Sequence, residues 1–322
     1  MSQIARVLYL SEPESEQAEA IRQAAAFARL NQAELTVLEV LPEVRAQFNP
    51  LPHELDINQL ETALHSQRLQ ALSALIDELQ LGMNVSVEVK NGKRFVETIR
   101  TVMAGEYDFL IKLAENPPWL ERLFGSDDMH LLRKCPCPLW IIKPGEQTPQ
   151  SKVLLALDFD TTDPGSALNP LNQSLLQLSA DMVRDKAKQL HILHCWQAPD
   201  EMMLKAWGNL NDQQAQRYTK LEKTAHQQSM QRIADYINPQ LGESDQESRY
   251  AFFHLIEGLA QKLIPTQARS IGADLLVMGS VARTGIRGVF IGNTAEMVLE
   301  QVTCSVLVIK PSDFESPVEL ED

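Results

Sequence analysis

Long apolar runs are missing from this chain. No stretch approaches the roughly 18 consecutive apolar residues that a bilayer-spanning helix needs, so no membrane partner is expected. Cysteine is scarce, four in 322 residues, too few for a disulfide scaffold in a chain this long. Positive charge is in deficit: 29 lysines and arginines against 43 aspartates and glutamates leave a formal net charge of −14. Such a surface repels a phosphate backbone, so nucleic acid is not an expected partner without a local basic patch. The opening segment MSQIARVLYLSEPESEQ has neither a basic stretch nor a long apolar core. No secretory signal is read there, and a cytoplasmic location is expected. What is present is an ordinary globular composition, 44% hydrophobic and 22% charged. That is core enough for about two domains at roughly 150 residues each.

The two halves repeat each other in order, a pattern that decides the fold once it is seen. Short apolar runs at 6–10 and 152–157 read as buried strands. After the first, Ala18, Ile21, Ala25 and Ala28 share a helical face, with Ser15 as the expected N-cap. Strand-like segments at 35–40 and 190–195 follow. Next come long amphipathic helices, lined by Leu60, Leu64, Leu72, Leu75 and Leu79 in one half and by Leu221, Ala225, Ile233 and Ile237 in the other. Third strands at 85–89 and 251–256 each end in a glycine, Gly92 and Gly258, 166 positions apart. Asp108-Phe-Leu-Ile and Asp274-Leu-Leu-Val share that offset, and Leu139-Trp-Ile-Ile-Lys-Pro144 lies 167 positions before Val306-Leu-Val-Ile-Lys-Pro311. This is a tandem duplication. Its expected boundary is the polar 145–151 linker, giving domains 1–147 and 148–322.

Strands alternating with helices imply parallel βαβ units with right-handed crossovers, hence a doubly wound α/β sheet in each half. Such sheets bind ligands outside the carboxyl ends of their strands, where the strand order reverses. The chemistry is therefore expected after strands one and four of each half.

After strand four of the second half runs a loop from Met278 to Thr294 that holds Gly279, Gly285, Gly288 and Gly292. Glycines let backbone N–H groups approach phosphate oxygens, and the N-terminus of the following helix favours an anion. Arg283 and Arg287 add local positive charge, while Asn293 and Thr294 either cap the helix or donate to an anion. On this pattern alone, a phosphate cradle and a flexible connection whose glycines only make turns stand level. It is neither a P-loop nor a dinucleotide fingerprint.

The strand–helix order, the closing Val-x-Val-Ile-Lys-Pro and the glycine loop resemble the universal stress protein family. The phrase R-T-G-I-x-G-x-F-I-G-N-T-A-E and the first-half H-L-L-R-K-C-P-C-P-L-W-I-I-K-P are similar to its tandem, E-type bacterial members. Nucleotide-binding members carry G-x2-G-x9-G-(S/T) after strand four. Here the run is Gly279-x2-Ala282-x9-Gly292-Asn293, with the spacing kept and two of the residues changed. The resemblance implies ATP, with Mg, as the ligand of the second domain, and Asp158 as the residue that contacts the adenosine. Ala282 puts a methyl group where the backbone would meet phosphate, so weakened affinity is expected. The expected ligand-binding set is Asp158, Gly279, Ala282, Arg283, Gly292, Asn293 and Thr294. The resemblance also implies roles in stress survival, and association of paired domains through their fifth strands. Here 139–142 and 306–309 are apolar and lack the charges that blunt exposed edges. An intramolecular pseudo-dimer follows, with a homodimer of whole chains also compatible.

The first half differs at the same place. Its loop lacks the first two glycines, and Pro117 and Pro118 remove amide donors. Glu115 and Glu121 add negative charge, Gly125-Ser126 matches only the last pair, and Glu12 replaces the aspartate. This half is not expected to bind nucleotide in the usual way; its role is structural or directed at something else.

Other candidates are weaker. Cys135-Pro-Cys137 has no second ligand pair at zinc spacing and reads as free structural thiols. His191 and His194 are three apart on a strand and face opposite sides. His130, His226 and His254 read as surface or cap residues. No nucleophile with a paired base is found, so no catalytic residue is assigned and ATP turnover would at most be slow. Segment 196–210, with Met202, Met203 and Trp207, reads as ordinary packing or as an adaptable apolar pocket. The second reading makes an amphipathic acyl or sugar-nucleotide metabolite the alternative ligand, and a non-catalytic partner-binding protein the third. The acidic tail, 313–322, is expected to be solvated.

Overall fold

The computed structural model describes residues 4–13, 15–43, 56–115, 124–145, 151–163, 165–183, 188–198, 211–241, 251–280 and 291–320. In chain order the elements are β1 (Arg6–Leu10), α1 (Ala18–Asn31), β2 (Glu34–Leu41), α2 (Ile57–Leu79), β3 (Val85–Asn91), α3 (Arg94–Ala104), β4 (Phe109–Leu113), α4 (Ser126–Lys134) and β5 (Leu139–Ile142). They continue with β6 (Lys152–Leu157), α5 (Pro170–Met182), β7 (Gln189–Trp196), α6 (Asp212–Ile237), β8 (Ala251–Glu257), α7 (Ala260–Ile271), β9 (Leu275–Gly279), α8 (Asn293–Leu299) and β10 (Ser305–Ile309). The chain divides into two compact units. The first takes the described residues up to 145 together with Ile291 and 305–320, and the second takes the remainder. The expected boundary near residue 148 lies outside the described residues.

In the first unit the strand order is β3-β2-β1-β4-β5-β10. β1 is parallel to both β2 and β4, and its residues Val7 to Leu10 are wholly buried. A strand covered on both faces has no solvated side, which is why its sequence is a continuous apolar run and not an alternation. The second unit repeats this plan with order β9-β6-β7-β8, all parallel, around Val153, Leu154 and Leu155. Gly92 and Gly258 end the third strand of each copy in the same conformation, at φ +144° and +138°. Their N–H groups donate to Leu41 O (2.9 Å) and Trp196 O (2.8 Å), the last residues of β2 and β7. The duplication thus extends to backbone conformations that favour glycine.

The fifth strands pair as expected. β10 runs antiparallel to β5, with Val306 opposite Ile141, Leu307 opposite Trp140 and Val308 opposite Leu139. The Lys143 N–H donates to Ser305 Oγ at 2.9 Å. Beyond β10 the tail is mostly exposed, as anticipated, and is tied down where Arg100 Nε donates to Glu319 O (3.1 Å).

Two local expectations are corrected. Ser15 does not cap α1. The helix begins at Ala18 behind Gln17, whose side chain instead accepts from the Glu12 N–H (2.7 Å) and donates to Ser11 Oγ (3.0 Å). The long helices also bury less than their apolar stripes suggest: Leu64 is 36% exposed and Leu221 60%. α2 has 23 residues, about 35 Å at 1.5 Å each, whereas the seven residues of β3 span only about 23 Å. The helix outruns its sheet, so its buried residues are Leu72 and Ile76, in its second half.

Candidate functional site

In the second unit β6 has β7 on one side and β9 on the other, both parallel, with Ala156 opposite Met278. The strand order reverses between β6 and β9. The residues at those two carboxyl ends are Asp158 and Gly279, two of the expected ligand contacts, so the fold brings them to the switch point. Asp158 presents an exposed side chain while its main chain is held from below, where Asn172 Nδ2 of α5 donates to its carbonyl at 3.0 Å. The same amide reaches Ser166 O (3.3 Å) and Ala167 O (3.2 Å). The Asp160 N–H donates to Ser166 Oγ at 2.7 Å, and Asp160 Oδ1 accepts from the Thr162 N–H at 2.8 Å. The loop after β6 is therefore a fixed platform.

Phe159, between the two aspartates, is buried and stacks on His194 with ring centroids 3.6 Å apart. His194 Nδ1 lies 3.0 Å from Leu157 O and must donate to it, because a carbonyl only accepts. Its Nε2 is then the acceptor for His226 Nδ1–H, also at 3.0 Å. His226 Nε2 lies 3.7 Å from Glu222 Oε1, which accepts from the Thr161 hydroxyl at 2.9 Å. The histidine pair thus joins β7 to α6, and the Thr161–Glu222 hydrogen bond separately ties the platform loop to α6. Burial, outweighing the Leu157 carbonyl, lowers the His194 pKa to about 4. His226 is also lowered by burial, against the pull of Glu222, Asp158 and Asp160.

These contacts correct the reading of His226 and His254 as surface or cap residues. His226 is buried beside Trp196, at 5.2 Å between ring centroids. His254 pairs with His191 at 3.0 Å on the other side of β7. Their strand positions did place His191 and His194 on opposite faces. Among the described residues there is no group of three or more His, Cys, Asp or Glu side chains arranged to hold a metal ion.

The glycine loop is described at its two ends only; Ala282 and Arg283, with 281–290 as a whole, lie outside the described residues, as do 199–210. At one end, Gly279 needs its missing Cβ for packing: a methyl group there would lie 3.0 Å from Leu171 Cδ2 and 3.3 Å from Leu175 Cδ1 of α5. Gly279→Ala is accordingly expected to cost about 1–3 kcal/mol by crowding. Hydrogen exchange of β9 and α5 peptides measures this, and unchanged protection would mean that the leucines yield freely. At the other end, Gly292 occupies the N-cap of α8 at φ +89° with no side-chain cap. Asn293 and Thr294 are therefore not caps, which removes one of their two expected roles; they stand exposed in the first turn.

The first unit fills the equivalent place with charge. Glu12 is buried and its Oε1 lies 2.8 Å from both Arg94 and Lys112. Lys112 Nζ, completely buried in β4, also donates to Asp128 Oδ1. The other Asp128 oxygen accepts from the Glu115 N–H (3.0 Å) and the Gly125 N–H (3.1 Å). Burial pushes Lys112 toward neutrality, yet Asp128 and Glu12 overcome it and hold the ammonium above its ordinary pKa. Glu115 leans against Gly125 so closely that a Cβ there would lie 1.4 Å from Oε2. Burial, followed by Asp128, lifts the Glu115 carboxyl to about 7. At the matching positions of the second unit stand Asp158, Ala260, Met278 and Ala295 in place of Glu12, Arg94, Lys112 and Asp128.

Sequence reasoning missed this ionic set. Its signal was present: a lysine inside the apolar Phe109-Leu-Ile-Lys-Leu113 strand needs a buried partner. A cavity of about 360 Å³ lies nearby in the first unit, lined by Ser15, Gln17, Glu39, Arg68, Leu72 and Leu75 among others. Glu39 and Arg68 close against each other there through bonds of 2.6 and 3.1 Å.

Two copies of one doubly wound α/β plan, with unlike side chains at their strand-end switch points, define a tandem α/β protein of duplicated fold and diverged switch points. The chain belongs to the universal stress protein family, whose model matches residues 4–143 and again 152–310. Universal stress protein E of Escherichia coli K12 is 29% identical over 248 residues, covering 75% of this chain and 74% of that one. Universal stress protein E of Photorhabdus laumondii is 25% identical over 325 residues, covering 99% of both. Among solved structures, a Pseudomonas aeruginosa UCBPP-PA14 protein described as a universal stress protein superimposes with TM-score 0.64 at 25% identity, covering 96% of this chain and 94% of that one. A universal stress protein from Archaeoglobus fulgidus shares the fold, with TM-score 0.60 at 18% identity over 97% of this chain and 98% of its own.

Proposed function

We propose that this protein is a cytoplasmic stress-response ligand-binding protein whose second unit binds ATP with Mg, weakly, and whose first unit does not bind nucleotide. The contrast between the two switch points carries the reading. In the first unit Asp128 takes the N–H groups of Glu115 and Gly125, the amides that a phosphate would use at the start of the helix. In the second unit the matching residue is Ala295, and Met278 replaces the internal cation Lys112.

Asp158 stands on its fixed platform and can accept hydrogen bonds from a ribose hydroxyl or the adenine amine. The phosphates would lie toward Gly292, Asn293 and Thr294 at the start of α8, with Arg283 supplying charge and the Ala282 methyl reducing affinity. Asp158 maps to the adenosine end of the site and no general base is assigned, so the proposed role is binding, with hydrolysis slow at most.

Isothermal titration of the full chain with Mg-ATP is expected to give one site per chain. Asp158→Ala and Gly292→Val should each weaken it at least tenfold, while Gly125→Val should leave it unchanged. Absence of heat and of competition at millimolar ATP would overturn the proposal. Equal weakening by Gly125→Val would overturn the assignment of roles to the two units.

A further inference from the structure

Outside the nucleotide region, the loop between α4 and β5 brings two thiols together. Cys135 Sγ and Cys137 Sγ are 3.6 Å apart, one donating to the other, with Pro136 between them. Cys135 is buried at the end of α4, its N–H donating to Leu131 O at 2.9 Å, whereas Cys137 is only partly buried. The ammonium of Lys310, itself 8% exposed, donates to the Cys135 carbonyl and lies 4.5 Å from the centre of the Phe314 ring. A pair of touching thiols, a buried cation beside them and a second cysteine that is only partly buried are three separate features, and simple core packing needs none of them.

We propose that Cys135 and Cys137 are a redox-active dithiol that hydroperoxides convert to an intramolecular disulfide. The pair shares protons, and its first ionisation belongs to both sulfurs. The thiol–thiol hydrogen bond lowers Cys135, with Lys310 assisting, against burial. Burial and then Cys135 raise Cys137. Lys310 is brought down by its own burial to about 8. The negative end of α4 opposes a thiolate at Cys135, and the Lys310 ammonium offsets it at the same carbonyl.

The charge rests mainly on Cys135, and proton transfer along the S–H···S contact gives Cys137, the partly buried residue of the two, a minor thiolate population that reacts. That thiolate attacks the peroxide O–O bond, taking one oxygen to give Cys137–SOH and releasing alkoxide, or hydroxide from hydrogen peroxide, which takes up a proton. The Cys135 thiolate then attacks the same sulfur, forming the S–S bond and expelling the oxygen as water once protonated. Two thiols and one hydroperoxide give one disulfide, one alcohol or water, and one further water. The sulfurs must close from 3.6 Å to about 2.0 Å. Cys195 makes a contrast: burial and then Asp158 push its thiol up to about 12, where it is inert.

The test treats the full chain at pH 7.5 with a few equivalents of hydrogen peroxide, alkylates the remaining thiols and maps the tryptic peptides by mass. Expected is a loss of two hydrogens in the peptide that carries Cys135 and Cys137, reversed by dithiothreitol, while Cys195 and Cys304 remain alkylated. The disulfide should form at least tenfold faster in the folded chain than in the chain unfolded in urea, a comparison that needs no variant. Lys310→Met should slow it at least threefold and Lys310→Arg should restore it. Formation at the same rate in the unfolded chain, or sulfinic acid without disulfide, or both thiols still alkylated after Cys195 has reacted, would each overturn the proposal.

Discussion

Replacing Asp128 with alanine is expected to destabilise the first unit by about 3–5 kcal/mol, the cost of leaving a buried charge without its partner. Lys112 Nζ would keep only Glu12 in a site where both Lys112 and Asp128 are completely buried. The N–H groups of Glu115 and Gly125 would lose their acceptor as well. The second unit supplies the control. Its residues at these two positions are Met278 and Ala295, so Lys112→Met combined with Asp128→Ala removes the charge and its partner together. The double variant should recover more than half of the loss, because replacing a buried pair by apolar groups is often close to neutral. Hydrogen exchange of peptides from β4 and β6 reads the two units separately, which a single unfolding midpoint in a two-unit chain cannot do. A single variant as stable as the parent would show that the ion pair is not what holds this place. A double variant as unstable as the single one would show that the site needs its charges.

Acidification should weaken the second unit by about 3–6 kcal/mol between pH 7 and pH 4, the sum of two histidine contributions. Burial, with His254 and Lys152 adding to it, depresses His191 to about 4, and burial depresses His194 to about 4. Both imidazoles ordinarily titrate near 6.5, so in this window the unfolded chain binds more protons than the folded one and stability falls as the pH drops. A tenfold change in proton affinity corresponds to about 1.4 kcal/mol, so each histidine contributes at most about 3 kcal/mol. Around His194 and His226 the facing charges are Glu222, Asp158 and Asp160, which soften the effect on His226 without reversing it.

The first unit should respond with the opposite sign. Glu115 titrates at about 7 in the folded chain, above its ordinary 4.5, so the folded chain binds the extra proton and this contribution grows as the pH falls from 7. Exchange rates in β6–β7 peptides measured from pH 7 to 4, corrected for the intrinsic rate, test the first claim, and a flat profile would refute it. Glu115→Gln should slow exchange in β4 at pH 7.5 and not at pH 4.5.

The parts of this fold legible in the sequence were the parts written locally. Strand and helix periodicity, the 166-residue offset and the glycines at 92 and 258 each depend on near neighbours in the chain. So did the placing of Asp158 and Gly279 at strand ends, since the strand runs themselves mark those ends. The role of Gly279 was not legible. A glycine after a strand suits phosphate approach or close packing equally, and only the leucines of α5 reveal the packing. The cap was misjudged at Ser15, and left open at Asn293 and Thr294, because a capable side chain near a helix start does not determine where the first turn closes.

By itself, then, the sequence determined a duplicated doubly wound α/β protein with altered chemistry at the first of two switch points. Tertiary structure decided which distant groups meet. Lys112 finds Asp128 across 16 residues, His194 finds His226 across 32, and His191 finds His254 across 63. It also decided that β10, from the end of the chain, lies against β5 and brings Lys310 to the two thiols. The physical reason is that periodicity assigns a side chain to a face of its strand or helix. What lies opposite that face is chosen by packing and by the need of every buried charge for a partner.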